Sequence, residues 1–231
     1  MLQLLILIFC FILFNTGLPV RAEDYKIIIN IPSRTLELWN EQVLEKKFPV
    51  GVGKSTTPTP IGNFKVISKV VHPTWKNPYK PAGVGIIKPG NNNPLGTRWI
   101  GFHVDANGGE YGMHGTNNPF SVGTFCSHGC VRMYVKDSEY LFKKITVGTQ
   151  LNIEYNDYKL VKKGYSLFVS RYPDAYGKKL NFEEQINSQL NKLEKNYVVF
   201  EDKLKKARNL KFGASVKIGE IIHTEPDDPI D

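Results

Sequence analysis

The chain has 231 residues, 41% of them hydrophobic and 23% charged, with a formal net charge of +8. That balance excludes a disordered tail, a collagen-like repeat and a multi-span membrane protein. The basic charge favours an acidic partner, whether nucleic acid, anionic lipid or an anionic wall polymer, and three cysteines are too few for a disulfide-scaffolded mini-protein.

Residues 2–14 are apolar apart from Gln3 and carry no charge, a run shorter than the ~20 residues a spanning helix needs. Asn15, Gly17 and Pro19 break it, and Val20-Arg21-Ala22 places small or branched residues three and one before Glu23. The pattern predicts a cleaved export signal over residues 1–22, which leaves no membrane span in the mature chain. The competing reading is an uncleaved anchor that extends to Val20. An exported chain meets oxidising chemistry, so the two remaining cysteines, Cys126 and Cys130, carry weight below.

Residues 23–155 read mainly as strands and turns. Residues 25–31 are a β-branched run, Pro32-Ser33-Arg34 is a turn signal, and residues 35–39 alternate as a half-buried strand does. Residues 43–52 and 63–71 predict further strands. Thr57-Pro-Thr-Pro-Ile-Gly between them opposes a helix, because proline removes a donor and glycine admits unusual dihedrals. Residues 77–96 hold four prolines, four glycines and three consecutive asparagines, and predict a long loop of the kind that covers sites. Residues 98–104 and 111–114 predict core strands, residues 136–145 a short amphipathic helix, and residues 150–155 a closing strand. Together they predict a mainly β, sandwich-like domain with one short helix.

Residues 156–231 differ in character. Residues 159–172 predict a hairpin around Lys163-Gly164. Phe182, Ile186, Leu190, Leu193, Tyr197, Phe200, Leu204 and Ala207 then recur on one face of a helix. This C-terminal extension therefore reads as a single long amphipathic helix over residues 182–209, capped by Asn181 and ended before Gly213. The plain reading packs it on its own domain; the sharper one is a dimeric coiled coil. The acidic tail, residues 223–231, reads as loose.

Two histidines and two cysteines, His114, Cys126, His128 and Cys130, fall among glycines between residues 111 and 133. A free thiol is only a few per cent thiolate at neutral pH, so a nucleophilic cysteine needs a neighbouring base. An imidazole that takes the proton leaves a thiolate–imidazolium pair, and its other nitrogen needs an acceptor to fix the ring. The acylated carbonyl needs backbone donors, and a glycine before the nucleophile lets the chain approach closely. Cys130, His114 and Gly129 supply these parts, and Arg132 can bind a carboxylate. Three other readings stand beside this one. Cys126, His128, Cys130 and His114 could hold zinc, although C-x-H-x-C lacks the usual knuckle spacing. A Cys126–Cys130 disulfide would block the nucleophile and act as an off-state. Cys126 alone reads as a small core residue, and His72 and His103 as surface or loop histidines.

At these residues the chain resembles a known family. His114-Gly115-Thr116, followed by Ser127-His128-Gly129-Cys130-Val131-Arg132-Met133, resembles the signature of the L,D-transpeptidase catalytic domain, the YkuD-type fold. Thr57-Pro-Thr-Pro-Ile-Gly-Asn-Phe64 resembles that family's T-P-x-G-x-F element, and Asn93-Pro-Leu-Gly96 a third, in the family's order. Residues 160–176 resemble the C-terminal extension of some members only loosely. The resemblance implies a mainly β domain with the nucleophile at one end, beneath a loop. It implies peptidoglycan stem peptides as substrate: Cys130 would attack the L,D bond before the terminal D-Ala and form a thioester. An amine on another stem or on an envelope protein, or water, would then take the acyl group. His114 would be the general acid/base, with its ring oriented by the Gly115 carbonyl. The Gly129 and Cys130 amides would form the oxyanion hole, Arg132 and Ser127 would contact substrate, and His128 would support the nucleophile. No cofactor or metal is implied, and the chain has no P-loop, dinucleotide fingerprint or nucleic-acid motif. A hydrolase on the same fold and a non-catalytic, zinc-stabilised wall-binding module remain the competing functions.

Overall fold

The computed structural model describes residues 25–222 apart from 78, 79, 82, 194 and 195; the export signal expected over residues 1–22 and the acidic tail lie outside the described residues. The β-branched run becomes β1 (Tyr25–Asn30), whose alternation buries Ile27 and Ile29 completely. It sits between β2 (Thr35–Asn40), antiparallel to it, and the closing strand, parallel to it. The chain continues through β3 (Val43–Pro49), β4 (Val52–Gly53), β5 (Gly62–Lys65), β6 (Ser68–Val71), β7 (Trp75–Lys76), β8 (Ile86–Ile87) and β9 (Arg98–Val104). It then runs through β10 (Glu110–His114), β11 (Phe125–Ser127), β12 (Val131–Arg132), α1 (Val135–Lys144) and β13 (Gln150–Glu154).

The first sheet has the order β3-β2-β1-β13-β5 and the second β12-β10-β9-β6, with β4 and β11 as a small parallel pair. Ile27, Ile29, Leu36, Leu38 and Leu151 of the first sheet meet Ile100, Phe102, Met113 and Val131 of the second, with Leu141 of α1, in one buried core. The run expected as one strand over residues 63–71 divides where the chain crosses between sheets. Val66 donates to Thr149 of one side at 2.9 Å, and Ile67 to Gly101 of the other at 2.8 Å. The long loop over residues 77–96 contributes β8, which pairs with β7.

Beyond residue 155 a further four-stranded sheet has the order β14-β15-β17-β16, where β14 is Tyr158–Lys163, β15 Ser166–Arg171, β16 Tyr197–Val199 and β17 Ser215–Ile221. The hairpin turns at Gly164, with φ 58°, as expected. The single long helix expected over residues 182–209 does not form. Instead α2 (Phe182–Leu190) and α3 (Glu201–Ala207) flank β16. The reason is geometric: seven of the eight apolar residues share one small core, and a straight 28-residue helix of about 42 Å would overhang it. The run Tyr197-Val198-Val199 has β propensity and pairs with β17 (Val198 opposite Glu220). The two short helices then fold back onto Leu167, Val169 and Ile218. The coiled-coil reading falls with the long helix. Asn181 caps α2 as expected, accepting from the Glu184 amide at 3.1 Å. Among the described residues, no helix is long and apolar enough to cross a membrane.

Candidate active site

β10 and the turn before β12 bring the signature residues together. The two strands are parallel, with Met113 opposite Val131 and His114 opposite Arg132. Met113 and Val131 are fully buried in the core. Strand alternation therefore turns His114 and Arg132 to the other face of the sheet. Cys130 stands two residues before Arg132. Its thiol donates to the Glu110 carbonyl at 3.7 Å and accepts from the Gly112 amide, so the side chain is seated against β10.

His114 is buried, and its ring stacks on Trp99 with centroids 5.7 Å apart. Its Nδ1 lies 2.5 Å from the Gly115 carbonyl oxygen. A carbonyl can only accept, so Nδ1 carries the proton and Nε2 is left as the basic nitrogen. Burial holds the imidazole pKa down at about 4; the Gly115 bond opposes that and the nearby Arg132 guanidinium adds to it. Burial pushes the Cys130 thiol up, outweighing the Gly112 amide and Arg132, which favour the thiolate; Glu110 acts with burial. Both shifts favour the uncharged forms of the thiol and the imidazole.

The turn that carries Cys130 is held from within and from below. Ser127 Oγ donates to the Cys130 carbonyl at 2.5 Å and accepts from the Gly129 amide at 3.1 Å. Gly129 has φ 111°, and a Cβ there would stand 2.5 Å from Tyr111 Cε1, so glycine is required twice over. Below the turn, Thr57 Oγ1 donates to the Ser127 carbonyl at 3.0 Å and Thr59 Oγ1 to the Gly129 carbonyl at 2.9 Å. The T-P-x-G-x-F element is the cradle of the nucleophile turn.

Two expected roles change in this geometry. The Gly129 amide, expected in the oxyanion hole, donates to Ser127 Oγ at 3.1 Å. Ser127, expected against substrate, is 2% exposed, and its hydroxyl closes the turn. His128 is exposed on the turn. Arg132 is half-buried, and its Nη1 donates to Cys126 Sγ at 3.7 Å. Cys126 and Cys130 are both free thiols. Among the described residues, no three His, Cys, Asp or Glu side chains gather as a metal-binding set, so the competing zinc reading of Cys126, His128, Cys130 and His114 does not converge.

The third motif closes on the histidine. Asn93 is fully buried; its Nδ2 donates to Pro73 O at 2.8 Å and its Oδ1 accepts from the Leu95 amide at 2.8 Å. That fold presses Gly96, with φ 61°, against Gly115, where a Cβ would meet backbone at 3.0 Å. Sequence reasoning missed Trp99 and Tyr111, which wall the site, and Tyr176, whose hydroxyl bonds Gly53 and Thr59 more than a hundred positions away. No local spacing signals a contact of that range.

Comparison with known proteins gives the family. The family model for the L,D-transpeptidase catalytic domain (YkuD) matches residues 24–153. A putative L,D-transpeptidase, YqjB of Bacillus subtilis strain 168, is 36% identical over 136 residues, 58% of this chain and 73% of the relative. A second from the same strain, YkuD, is 33% identical over 138 residues, 59% of this chain and 71% of the relative. A probable L,D-transpeptidase of Escherichia coli K12, YcfS, is 35% identical over 117 residues, 46% of this chain but only 36% of the relative. Among solved structures, an L,D-transpeptidase of Enterococcus faecium shares 22% identity over 57% of this chain and 50% of that one, with a TM-score of 0.44. The chain belongs to the L,D-transpeptidase catalytic domain family.

Proposed function

We propose that this protein is an exported peptidoglycan L,D-transpeptidase in which Cys130 is the acylating nucleophile. One observation carries the reading: the Cys130 thiol is seated on the same strand as a histidine whose Nδ1 is tied to its neighbour's carbonyl. In the reaction, Cys130 Sγ attacks the carbonyl of the diamino acid that precedes the terminal D-Ala, and its proton passes to His114 Nε2. The Cys130 amide meets the developing oxyanion. Collapse breaks the C–N bond, His114 returns the proton to the departing D-Ala amine, and a thioester remains. An amine from a second stem attacks the thioester, His114 takes its proton, and the 3→3 amide forms as the thiol is released. Arg132, on the face shared with His114, is placed to hold the carboxylate of the donor peptide.

A low imidazole pKa suits this cycle. A neutral His114 is available as a base throughout the neutral range, and it becomes a strong acid once protonated. The test is product analysis of a tetrapeptide donor with and without an acceptor amine. A transpeptidase gives a cross-linked dimer when acceptor is present. Tripeptide alone, at every acceptor concentration, would make the protein a hydrolase.

A further inference from the structure

Beyond the matched residues 24–153, one side chain reaches back to the nucleophile turn. The Tyr176 hydroxyl donates to the Gly53 carbonyl at 2.9 Å and accepts from the Thr59 amide at 3.1 Å. Thr59 is 1% exposed, and its own hydroxyl accepts from the Gly53 amide and donates to the Gly129 carbonyl, each at 2.9 Å. The peptide that Thr59 grips is the one that joins Gly129 to Cys130. In a trans peptide the C=O and N–H point in opposite directions. A Gly129 carbonyl held down by Thr59 therefore sets the Cys130 N–H on the opposite side.

Tyr176 is itself fixed. Its ring stacks on Tyr155 at 5.2 Å and meets the ring of Phe125 at 6.4 Å. Its amide donates to the Tyr155 hydroxyl at 2.7 Å, which in turn donates to Asp174 Oδ1 at 2.7 Å. Asp174 also accepts from the Lys178 and Lys179 amides at 2.9 and 2.8 Å, which closes the loop around the ring. A tyrosine that served packing alone would need one hydrogen-bond partner. This one uses both its proton and a lone pair on the backbone that carries Thr59.

We propose that Tyr176 is a positioning residue for the transfer reaction: acting through Thr59, it fixes the Gly129–Cys130 peptide and so aims the Cys130 amide at the oxyanion. The proposal rests on Cys130 as nucleophile. The oxyanion exists only in the transition state, so a loosened Cys130 amide lowers kcat and leaves KM in place.

The experiment measures D-Ala release by Tyr176→Phe, Thr59→Val, the double variant and Cys130→Ala, with rates counted per folded molecule from thermal unfolding. Phenylalanine keeps the ring contacts and removes only the hydroxyl. Expected is a fall in kcat of at least about fivefold for Tyr176→Phe, part of the ~100-fold or more that loss of an oxyanion donor costs, with KM within about twofold. Because Tyr176 acts through Thr59, the double variant should be no slower than Thr59→Val alone. A smaller fall in kcat, an effect confined to KM, or losses that multiply in the double variant would overturn the proposal. Activity in Cys130→Ala would instead overturn the nucleophile assignment. An inert Cys130→Ala beside a full-speed Tyr176→Phe would overturn the positioning role alone.

Discussion

His114 shows how burial sets chemistry at the level of one residue. Its folded-state pKa of about 4 lies below the ordinary 6.5 because the ring sits out of water against Trp99. Between those values the unfolded chain binds a proton that the folded one refuses, so stability falls as pH drops from 6.5 towards 4 and is unaffected by this group above 6.5. The loss amounts to about 3 kcal/mol. Urea unfolding at pH 7 and pH 4 should show a drop larger by that order in the wild type than in His114→Gln; equal drops would mean the imidazole titrates normally. His114 and Cys130 were legible in the sequence because their motifs are local and their chemistry is specific to residue type. The destination of the Gly129 amide was not, because it depends on which way a four-residue turn closes. Ser127 Oγ claims that donor only once the turn has formed.

At the level of elements, the strands of residues 25–154 were legible where side chains alternate, as in β1 and β2, since one face meets the core. The two-residue strands β7 and β8 carry no period: β8 falls inside the stretch read as loop, residues 77–96, and β7 was not predicted. The nucleophile turn is the element on which the site depends, and Gly129 tests it. Gly129→Ala faces both a φ of 111° and the Tyr111 ring at 2.5 Å, whereas Gly123→Ala shares a positive φ, 83°, with open space around it. Both substitutions should cost about 1–3 kcal/mol in backbone strain, and only Gly129→Ala should also abolish D-Ala release. Thermal unfolding and turnover of the two variants check this, and an active Gly129→Ala would show that the turn tolerates displacement.

At the level of the whole molecule, the C-terminal part is joined to the first core by the Tyr176 ring, which contacts Tyr155 and Phe125, and by polar contacts. Lys159 Nζ of β14 meets Glu37 Oε1 of β2 at 2.8 Å, with each side chain only 10% exposed, and Lys47 adds a second contact at 3.3 Å. Burial alone would raise the Glu37 carboxyl, but Lys159 and then Lys47 outweigh it and hold the pKa below its usual value. Lys159→Met leaves the buried carboxylate only the Lys47 ammonium and the Trp39 Nε1–H, each at 3.3 Å, and should cost about 3 kcal/mol, most of it recovered in the double variant with Glu37→Gln. Denaturant midpoints of the single and double variants measure this, and a neutral Lys159→Met would mean that Lys47 and Trp39 suffice for Glu37. This organisation was the least legible part of the sequence. The apolar spacing over residues 182–209 named seven core residues, with Phe200 outside the core, but the wrong element. Helical period records which side chains seek burial and says nothing of where the chain must fold back to reach it.

The most direct test of the account is intact-mass spectrometry of the mature protein during turnover of a tetrapeptide stem. The account predicts a tripeptidyl thioester on Cys130 with release of one D-Ala in the wild type and in Cys126→Ala, and neither adduct nor release in Cys130→Ala. An adduct or sustained D-Ala release in Cys130→Ala would contradict it.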